Sequence, residues 1–464
     1  MKQPITRALC VGIALSGLCA VLAGCRPAAT SVAVPASAAW FADVTPQTGI
    51  NFVQDPGPSN HYFMPESMGS GAALLDYDND GRLDLYLLQG GSAQSSSVNR
   101  LYHQEPDGHF KDVTAGSGLG IAGFGTGVAI GDVNNDGLPD VLVTGYGGVK
   151  LFLNLGGGKF RDVTREAGLD DPHWATSASF FDYDRDGRLD LVIVNYVNYV
   201  DQPCPDPSGL PDYCAPSDFA GTSSKLYHNL GPIPGHAGKS LHFADVTEAS
   251  GLGQASGPGL GVATLDFTGD GWQDILITQD GKANRLWINQ HNGTFKDEAL
   301  VRGIAVNNSG IAEANMGIGI ADLSGSGLPS VYVTHLTEEG NTLWAQTSPG
   351  VFEDHTAASG LAALRHGTGF GTILADFENS GSPDIAVVNG RVRHSQNGTT
   401  GTEVSTALGP HWSPYVENNQ LFANDGRGTS GTSPPQTRLS AGIRTSGAAW
   451  PAETSIMMGE WTWW

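Results

Sequence analysis

The chain has 464 residues, of which only 15% are charged, with 64 glycines and a formal net charge of −23 at pH 7. Abundant glycine with sparse charge suits tight turns and packed strands better than long surface helices. The negative charge weighs against nucleic acid and anionic lipid as electrostatic partners. Much of it falls in repeated loops, where bound cations would offset it, so it is not read as disorder.

Residues 1–25 read as a lipoprotein export signal: Lys2 and Arg7, then an apolar run from Ala8 to Leu22 that is short for a membrane span. Leu22-Ala23-Gly24-Cys25 resembles a bacterial lipobox, in which the lipidated cysteine becomes the mature N-terminus. The plain alternative is an ordinary cleaved signal with a chance cysteine. Arg26 stands where an aspartate would favour inner-membrane retention, so the expected address is the outer membrane, or secretion. Residues 26–39, rich in Ala, Ser, Pro and Thr, read as a flexible tether.

Residues 40–428 are built from one recurring unit. Its centre is an acidic loop with oxygen-bearing side chains at positions one, three, five and nine and glycine at six. The full copies are Asp76, Asp78, Asp80 and Asp84; Asp132, Asn134, Asp136 and Asp140; Asp182, Asp184, Asp186 and Asp190; and Asp266, Thr268, Asp270 and Asp274. Converging oxygens on a sharp turn are what a hard divalent cation such as Ca2+ requires. The residues after the glycine, Arg82, Leu138, Arg188 and Trp272, are expected to add a backbone carbonyl. Weaker copies begin at Asp322, which has lost all carboxylates but the first and reads as a structural turn, and at Asp376, which keeps Glu378 and Asp384.

A small glycine-rich apolar stretch precedes each loop, and a branched or aromatic run follows it. Next come a Leu-aromatic step (Leu101-Tyr102, Leu151-Phe152) and a Phe-x-Asp-Val-Thr segment (Phe110 to Thr114, Phe160 to Thr164). These predict four short strands per unit with no helical period between them. The loops recur every 50–56 residues where nothing is inserted, the length of one four-stranded propeller blade. The expected fold is all-β: a seven-bladed β-propeller whose seventh blade is incomplete or lost. Trp40 to Thr45 reads as an orphan outer strand that closes the ring against the chain's other end.

The interval after Asp182 is longer and holds an inserted loop, 198–224, with Cys204 and Cys214. In an oxidising compartment the two predict a local disulfide. A metal or redox pair is the lesser alternative. Enzyme signatures are missing: glycine clusters such as Gly257 to Gly261 run into a loop and a strand rather than a helix, and the histidines are scattered with no His-x-x-x-His. Glu66, with Tyr62 and His61, could line a pocket, though packing and turn formation explain it better.

From about Thr429 the repeat stops. In the frame that takes the third base of each codon with the next two, Met457-Met458 forces Asp, Met458-Gly459 forces Gly, Trp461-Thr462 forces Asp and Trp463-Trp464 forces Val. That spells Asp-Gly-x-x-Asp-x-Val, the missing loop. Residues 429–464 are therefore expected to be an out-of-frame, disordered tail.

With these motifs in order and at blade spacing, the chain resembles the FG-GAP/VCBS repeat proteins, known members of which look like the integrin α-subunit head, a seven-bladed propeller with calcium in loops on one side. More narrowly it is similar to the cartilage-acidic-protein-like bacterial lipoproteins, through Met64 to Gly71, Asn195 to Val200, Asp212 to Pro216, Asn315 to Gly319 and Val388 to Val392. Such relatives usually end in a further ASPIC/UnbV domain, which is not found here. The expectation is a calcium-stabilised extracytoplasmic propeller that binds a protein or glycan ligand and meets the membrane only through its lipid anchor. A secreted polysaccharide-acting propeller enzyme is the alternative, favoured by convergent carboxylates, or His with Lys or Arg, outside the loops. A frameshifted product without function is the third reading.

Overall fold

A computed structural model describes residues 41–55, 62–91, 96–232, 241–363, 367–393, 409–424 and 426. The signal, the tether, Cys25 and the proposed out-of-frame tail lie outside the described residues.

The described chain forms a β-propeller of six antiparallel sheets in sequence order. Blade 1 comprises Ala72–Leu75, Asp84–Leu87, Arg100–Gln104 and Phe110–Asp112. Blade 2 comprises Gly123–Gly131, Asp140–Gly145, Gly148–Asn154 and Phe160–Asp162. Blade 3 comprises Ala175–Phe181, Asp190–Asn195, Lys225–Pro232 and Leu241–Asp245. Blade 4 comprises Gly259–Leu265, Asp274–Gln279, Arg285–Asn289 and Phe295–Asp297. Blade 5 comprises Ile318–Ala321, Ser330–Val333, Thr342–Ser348 and Val351–Asp354. Blade 6 has three strands, Gly369–Ala375, Asp384–Asn389 and Gln420–Phe422.

A small sheet has two faces to bury, and the cores accordingly lie between consecutive blades. Leu142, Leu151 and Leu153 of blade 2 pack on Leu191, Ile193 and Tyr227 of blade 3. Val192, Val194 and Leu226 of blade 3 meet Ile275, Ile277 and Trp287 of blade 4. At the hub, inner strands approach so closely that a Cβ on Gly127 would lie 2.7 Å from the Thr176 carbonyl. Only glycine fits there. Hydroxyls join one blade to the next at the same level: Thr126 Oγ1 donates to Ala175 O at 2.8 Å, Thr176 Oγ1 to Gly259 O at 2.9 Å, Thr278 Oγ1 to Met316 O at 3.0 Å and Thr334 Oγ1 to Phe370 O at 2.8 Å.

Two expectations need correction. The expected seven blades are six. The chain after Phe422 supplies no outer strand to blade 6 among the described residues, so neither that blade's fourth strand nor a further blade is present in them. Nor, among the described residues, does the orphan outer strand pair in a ladder: residues 41–44 carry no strand and Thr45–Thr48 is one helical turn. The segment instead bridges blades 6 and 1 by side-chain packing. Phe41 meets Phe377 of blade 6 at 5.4 Å, as Phe352 of blade 5 meets Phe267 of blade 4 at 5.9 Å. Ile50 and Phe52 cover Ala72, Leu87 and Tyr102 of blade 1. Side-chain contacts thus stand where hydrogen bonds were expected, with Phe41 still 40% exposed.

The inserted loop folds back on itself through Cys204–Pro205 against Pro211–Asp212, and Cys204 and Cys214 are disulfide-bonded with Cα atoms 5.0 Å apart. It crosses to blade 6, where the Tyr415 hydroxyl donates to Asp212 Oδ1 at 2.8 Å and Tyr213 stacks on Trp412.

Candidate metal loops and a central cavity

Each acidic loop connects the inner strand of a blade to its second strand, so all six lie at one end of the blades. The turn is built by position one. Asp76 accepts the N–H groups of Asp80 and Gly81 at 3.0 and 2.8 Å, and Asp132 those of Asp136 and Gly137 at 3.0 and 2.7 Å. Asp182 and Asp266 do the same for Gly187 and Gly271 at 2.9 and 2.7 Å. Position six has φ between 81° and 87° in all six loops, a left-handed conformation that glycine adopts without steric cost.

Position five caps the following turn: Asp80, Asp136, Asp186 and Asp270 accept the N–H of Arg82, Leu138, Arg188 and Trp272 at 2.9–3.0 Å. The Arg82 and Arg188 guanidinium groups also pair with Asp80 and Asp186.

Position nine is a buried bolt. Asp84, Asp140, Asp190, Asp274 and Asp384 are 0% exposed. Each accepts one N–H from its own loop and one from the third strand, as Asp140 does from Val133 at 3.0 Å and Asn154 at 2.7 Å. Asp274 accepts likewise from Phe267 and Asn289 at 3.2 and 2.9 Å. Burial, outweighing these N–H groups and reinforced by Asp136 and Asp132, pushes Asp140 up to about 8. Burial likewise raises Asp190 to about 7 and Asp274 to about 6. In blades 1 and 3 the loop carboxylates also face one another: one ligand atom each from Asp76, Asp78 and Asp84, and one each from Asp182, Asp184 and Asp190, lie within 4.8 Å. A donor set of crowded carboxylate oxygens over a buried carboxylate fits a hard divalent cation, whose charge opposes both burial and repulsion.

The four full loops are not alike. In blade 2, Asn134 Nδ2 donates to Asp136 Oδ2 at 3.1 Å. In blade 4, Asp270 is engaged by His291 Nε2 at 2.9 Å, and that ring stacks on Trp272. Blade 5 has Ser324, Ser326 and Ser330 at positions three, five and nine. There burial is outweighed by the N–H groups of Gly327, Ser326 and Ser324, which hold Asp322 below the usual carboxylate range.

The loops also clamp neighbouring blades. Asn154 Nδ2 donates to Tyr77 O of the preceding blade at 2.8 Å, Asn229 to Val133 O at 2.9 Å, Asn289 to Tyr183 O at 2.8 Å and Asn424 to Leu323 O at 3.0 Å. Gln346 Nε2 reaches Phe267 O at 2.6 Å. The repeated Leu-aromatic-x-Asn signal was available in the sequence, but nothing local says that its partner is a different blade.

At the opposite end of the blades the hub opens into a cavity of about 620 Å³. Its walls come from blades 3 to 6, from the inserted loop and from the turn Met64–Ser67. Met64, Leu260, Met316 and Phe370 form an apolar lining, with Asp280, Glu338, Glu339, Lys282, Arg391 and Arg393 among them. The Tyr196 hydroxyl donates to Asp280 Oδ2 at 2.6 Å. Burial and then the Glu339 charge, against that hydrogen bond, push Asp280 up to about 6. Glu66 lies within the turn Met64–Ser67, buried at 3% exposure, and does not line this cavity. Among the described residues no helix is long and apolar enough to cross a membrane.

Residues 76–143, 132–193 and 266–333 match the FG-GAP-like repeat. Each match runs from position one of a loop into the second strand of the next blade, so the chain is a β-propeller that carries FG-GAP-like repeats. None of the curated proteins matches it. Among solved structures it is similar to a lectin of Agrocybe aegerita that recognises non-reducing terminal N-acetylglucosamine, at 18% identity and TM-score 0.43, over 83% of this chain and 84% of that one. It is also similar to a periplasmic gluconolactonase of Pseudomonas aeruginosa, at 14% identity and TM-score 0.42, over 80% of this chain and 88% of that one. At these TM-scores neither likeness carries a functional argument.

Proposed function

We propose that the protein is a calcium-braced β-propeller of the bacterial cell envelope that acts as an interaction module for a protein or glycan ligand. One observation carries the metal reading: in blades 1 to 4 a wholly buried position-nine aspartate stands beneath three further oxygen-bearing side chains and is hydrogen-bonded to its own third strand. Filling such a loop fixes two strands of one blade and, through the side-chain amide clamps, the next blade as well. Metal-binding energy then becomes folding energy. The carbonyls of Arg82, Leu138, Arg188 and Trp272 would complete the oxygen sets.

The ligand is assigned to the central cavity, away from the loops. Its aromatic and apolar lining with a few charged groups is the usual composition of a binding site. A lipid on Cys25, in the lipobox-like Leu22–Cys25, would tether the propeller to the outer membrane. The test is binding of the calcium-loaded chain to glycan and peptide arrays. Leu260→Trp, which fills the cavity, should abolish any hit while leaving calcium uptake intact. Unchanged binding would place the ligand elsewhere.

A second reading, a secreted enzyme acting on polysaccharide, is favoured by Asp280, whose affinity for its proton is raised beside Glu339 at the cavity wall. A carboxyl group poised near neutrality suits general acid work. Polysaccharide turnover that Asp280→Asn removes, with binding retained, would select it.

A further inference from the structure

The third strand passes beside each loop, and the residue there divides the blades. It is apolar in blades 2 and 4, Leu153 and Ile288, but histidine in blades 1 and 3, His103 and His228. In blade 1, His103 Nδ1 lies 3.0 Å from Asp84 Oδ1 and 3.8 Å from Asp78 Oδ2, and its Nε2 lies 3.7 Å from Asp80 Oδ2. In blade 3, His228 Nδ1 lies 3.0 Å from Asp190 Oδ1 and 3.5 Å from Asp184 Oδ2. One ligand atom each from Asp78, Asp80 and His103, and from Asp184, Asp186 and His228, fall within 4.8 Å.

Both rings are held the same way. The tyrosine at loop position two packs edge-on against each, Tyr77 at 5.8 Å and Tyr183 at 5.9 Å. Tyrosine and histidine occur together in blades 1 and 3, and both are missing from blades 2 and 4, which have Val133 with Leu153 and Phe267 with Ile288. The side chains of His103 and His228 are only 15% and 20% exposed, so each ring faces its loop rather than water.

We propose that the loops of blades 1 and 3 are a second class of metal site, in which His103 or His228 joins the loop carboxylates to hold a divalent transition ion such as zinc. This rests on the reading of the loops as cation cradles and refines it. Imidazole nitrogen selects for zinc, cobalt, nickel or copper over calcium, whereas an all-oxygen set selects for calcium. Two ligands of one such ion at about 2.1 Å sit roughly 3.0–3.4 Å apart in octahedral or tetrahedral geometry. The Nδ1–Asp84 and Nδ1–Asp190 separations of 3.0 Å match that spacing, the second as a hydrogen bond that an ion would replace; those to Asp78, Asp80 and Asp184, at 3.5–3.8 Å, would close by a few tenths of an ångström. Blades 2 and 4 offer no nitrogen from the third strand; the one imidazole at the blade 4 loop, His291, comes from the turn after that strand and engages Asp270 at 2.9 Å.

The test uses the full chain from Cys25 onward, with zinc alone and calcium alone as probes in equilibrium dialysis. His103→Leu combined with His228→Ile installs the residues that blades 2 and 4 carry there. The double variant should lose at least about tenfold in zinc affinity at two sites, while calcium affinity changes by less than about threefold. Equal zinc affinity in the two proteins would overturn the inference. Pulsed electron paramagnetic resonance of the wild-type and double-variant chains loaded with Cu2+, an imidazole-preferring ion, is the second readout: nitrogen coupling that falls in the double variant supports the site, and equal coupling in the two overturns it. Calcium uptake without nitrogen coupling sinks this inference alone. No uptake of any cation sinks the reading of the loops with it.

Discussion

Blade 2 and blade 5 close the same hairpin with different chemistry. In both, the aspartate at position one accepts the N–H of the position-six glycine: Asp132 from Gly137 at 2.7 Å and Asp322 from Gly327 at 2.6 Å. In both, a side-chain amide of the third strand reaches back to the preceding blade, Asn154 to Tyr77 O and Gln346 to Phe267 O. Blade 5 does this with one carboxylate, held in its charged form by three backbone N–H groups. Blade 2 adds Asn134, Asp136 and the buried Asp140, which burial raises to about 8. Blade 5 caps its turn at position five with a neutral hydroxyl, Ser326 Oγ accepting the Leu328 N–H at 3.2 Å. The negative charge at positions five and nine of blade 2 is therefore surplus to the turn, and burying such a charge is unfavourable unless something positive is near. That surplus is the argument for a cation.

The contrast can be broken most sharply at position nine. Asp140→Ala leaves the buried N–H groups of Val133 and Asn154 without an acceptor and is expected to cost about 2–4 kcal/mol. Ser330→Ala in blade 5 should cost less than about 1 kcal/mol, as a lost neutral hydroxyl. Urea unfolding of the two variants decides this, and equal losses would mean that position nine has no special role.

A buried carboxylate outside the loops provides the control. The folded pKa of Asp280 is raised from 3.8 to about 6. The stability tied to its proton is therefore complete below about pH 4 and is lost as pH rises through about 6. Asp280→Asn should match the wild type at pH 4 and exceed it at pH 7 by roughly 1–3 kcal/mol. A difference that does not change with pH contradicts the burial of this charge.

The cross-blade clamp is expected to matter less. Asn289→Ala removes a hydrogen bond to Tyr183 O and another to Gln273 O. It should cost about 1–2 kcal/mol in chemical unfolding, and a neutral result would show that the loops do not couple blades. The smallest effect sharpens the comparison by construction. Ser324→Asp, Ser326→Asp and Ser330→Asp together restore the blade 1 pattern in blade 5. They should add one calcium per chain in equilibrium dialysis, with little gain in stability when calcium is withheld. An unchanged stoichiometry would mean that the oxygen pattern alone does not make a site.

Much of this was legible in the sequence because it is local. Loop and strands lie within one unit, and the aspartates from Asp76 to Asp274 sit where the spacing places them. What was not legible depends on contacts across blades. The clamp partners of Asn154 and Asn289 are 77 and 106 residues away. His103 and His228 belong to a different strand from the loops they cover, so they looked scattered. The closing strand was misjudged because closure is set by long-range packing: Phe41 meets Phe377 as a side-chain contact rather than as a strand. The cavity around Asp280 draws on four blades and an insertion, and no single segment announces it.

The central claim is that captured cations brace the propeller through its acidic loops. Thermal unfolding of residues 26–464 with calcium and then with a chelator tests it most directly. Each loop filled at ten times its dissociation constant would add ~1.4 kcal/mol, so even the two loops of blades 2 and 4 alone predict a melting temperature about 5 °C higher with calcium. Coincident melting curves in calcium and in chelator would contradict it.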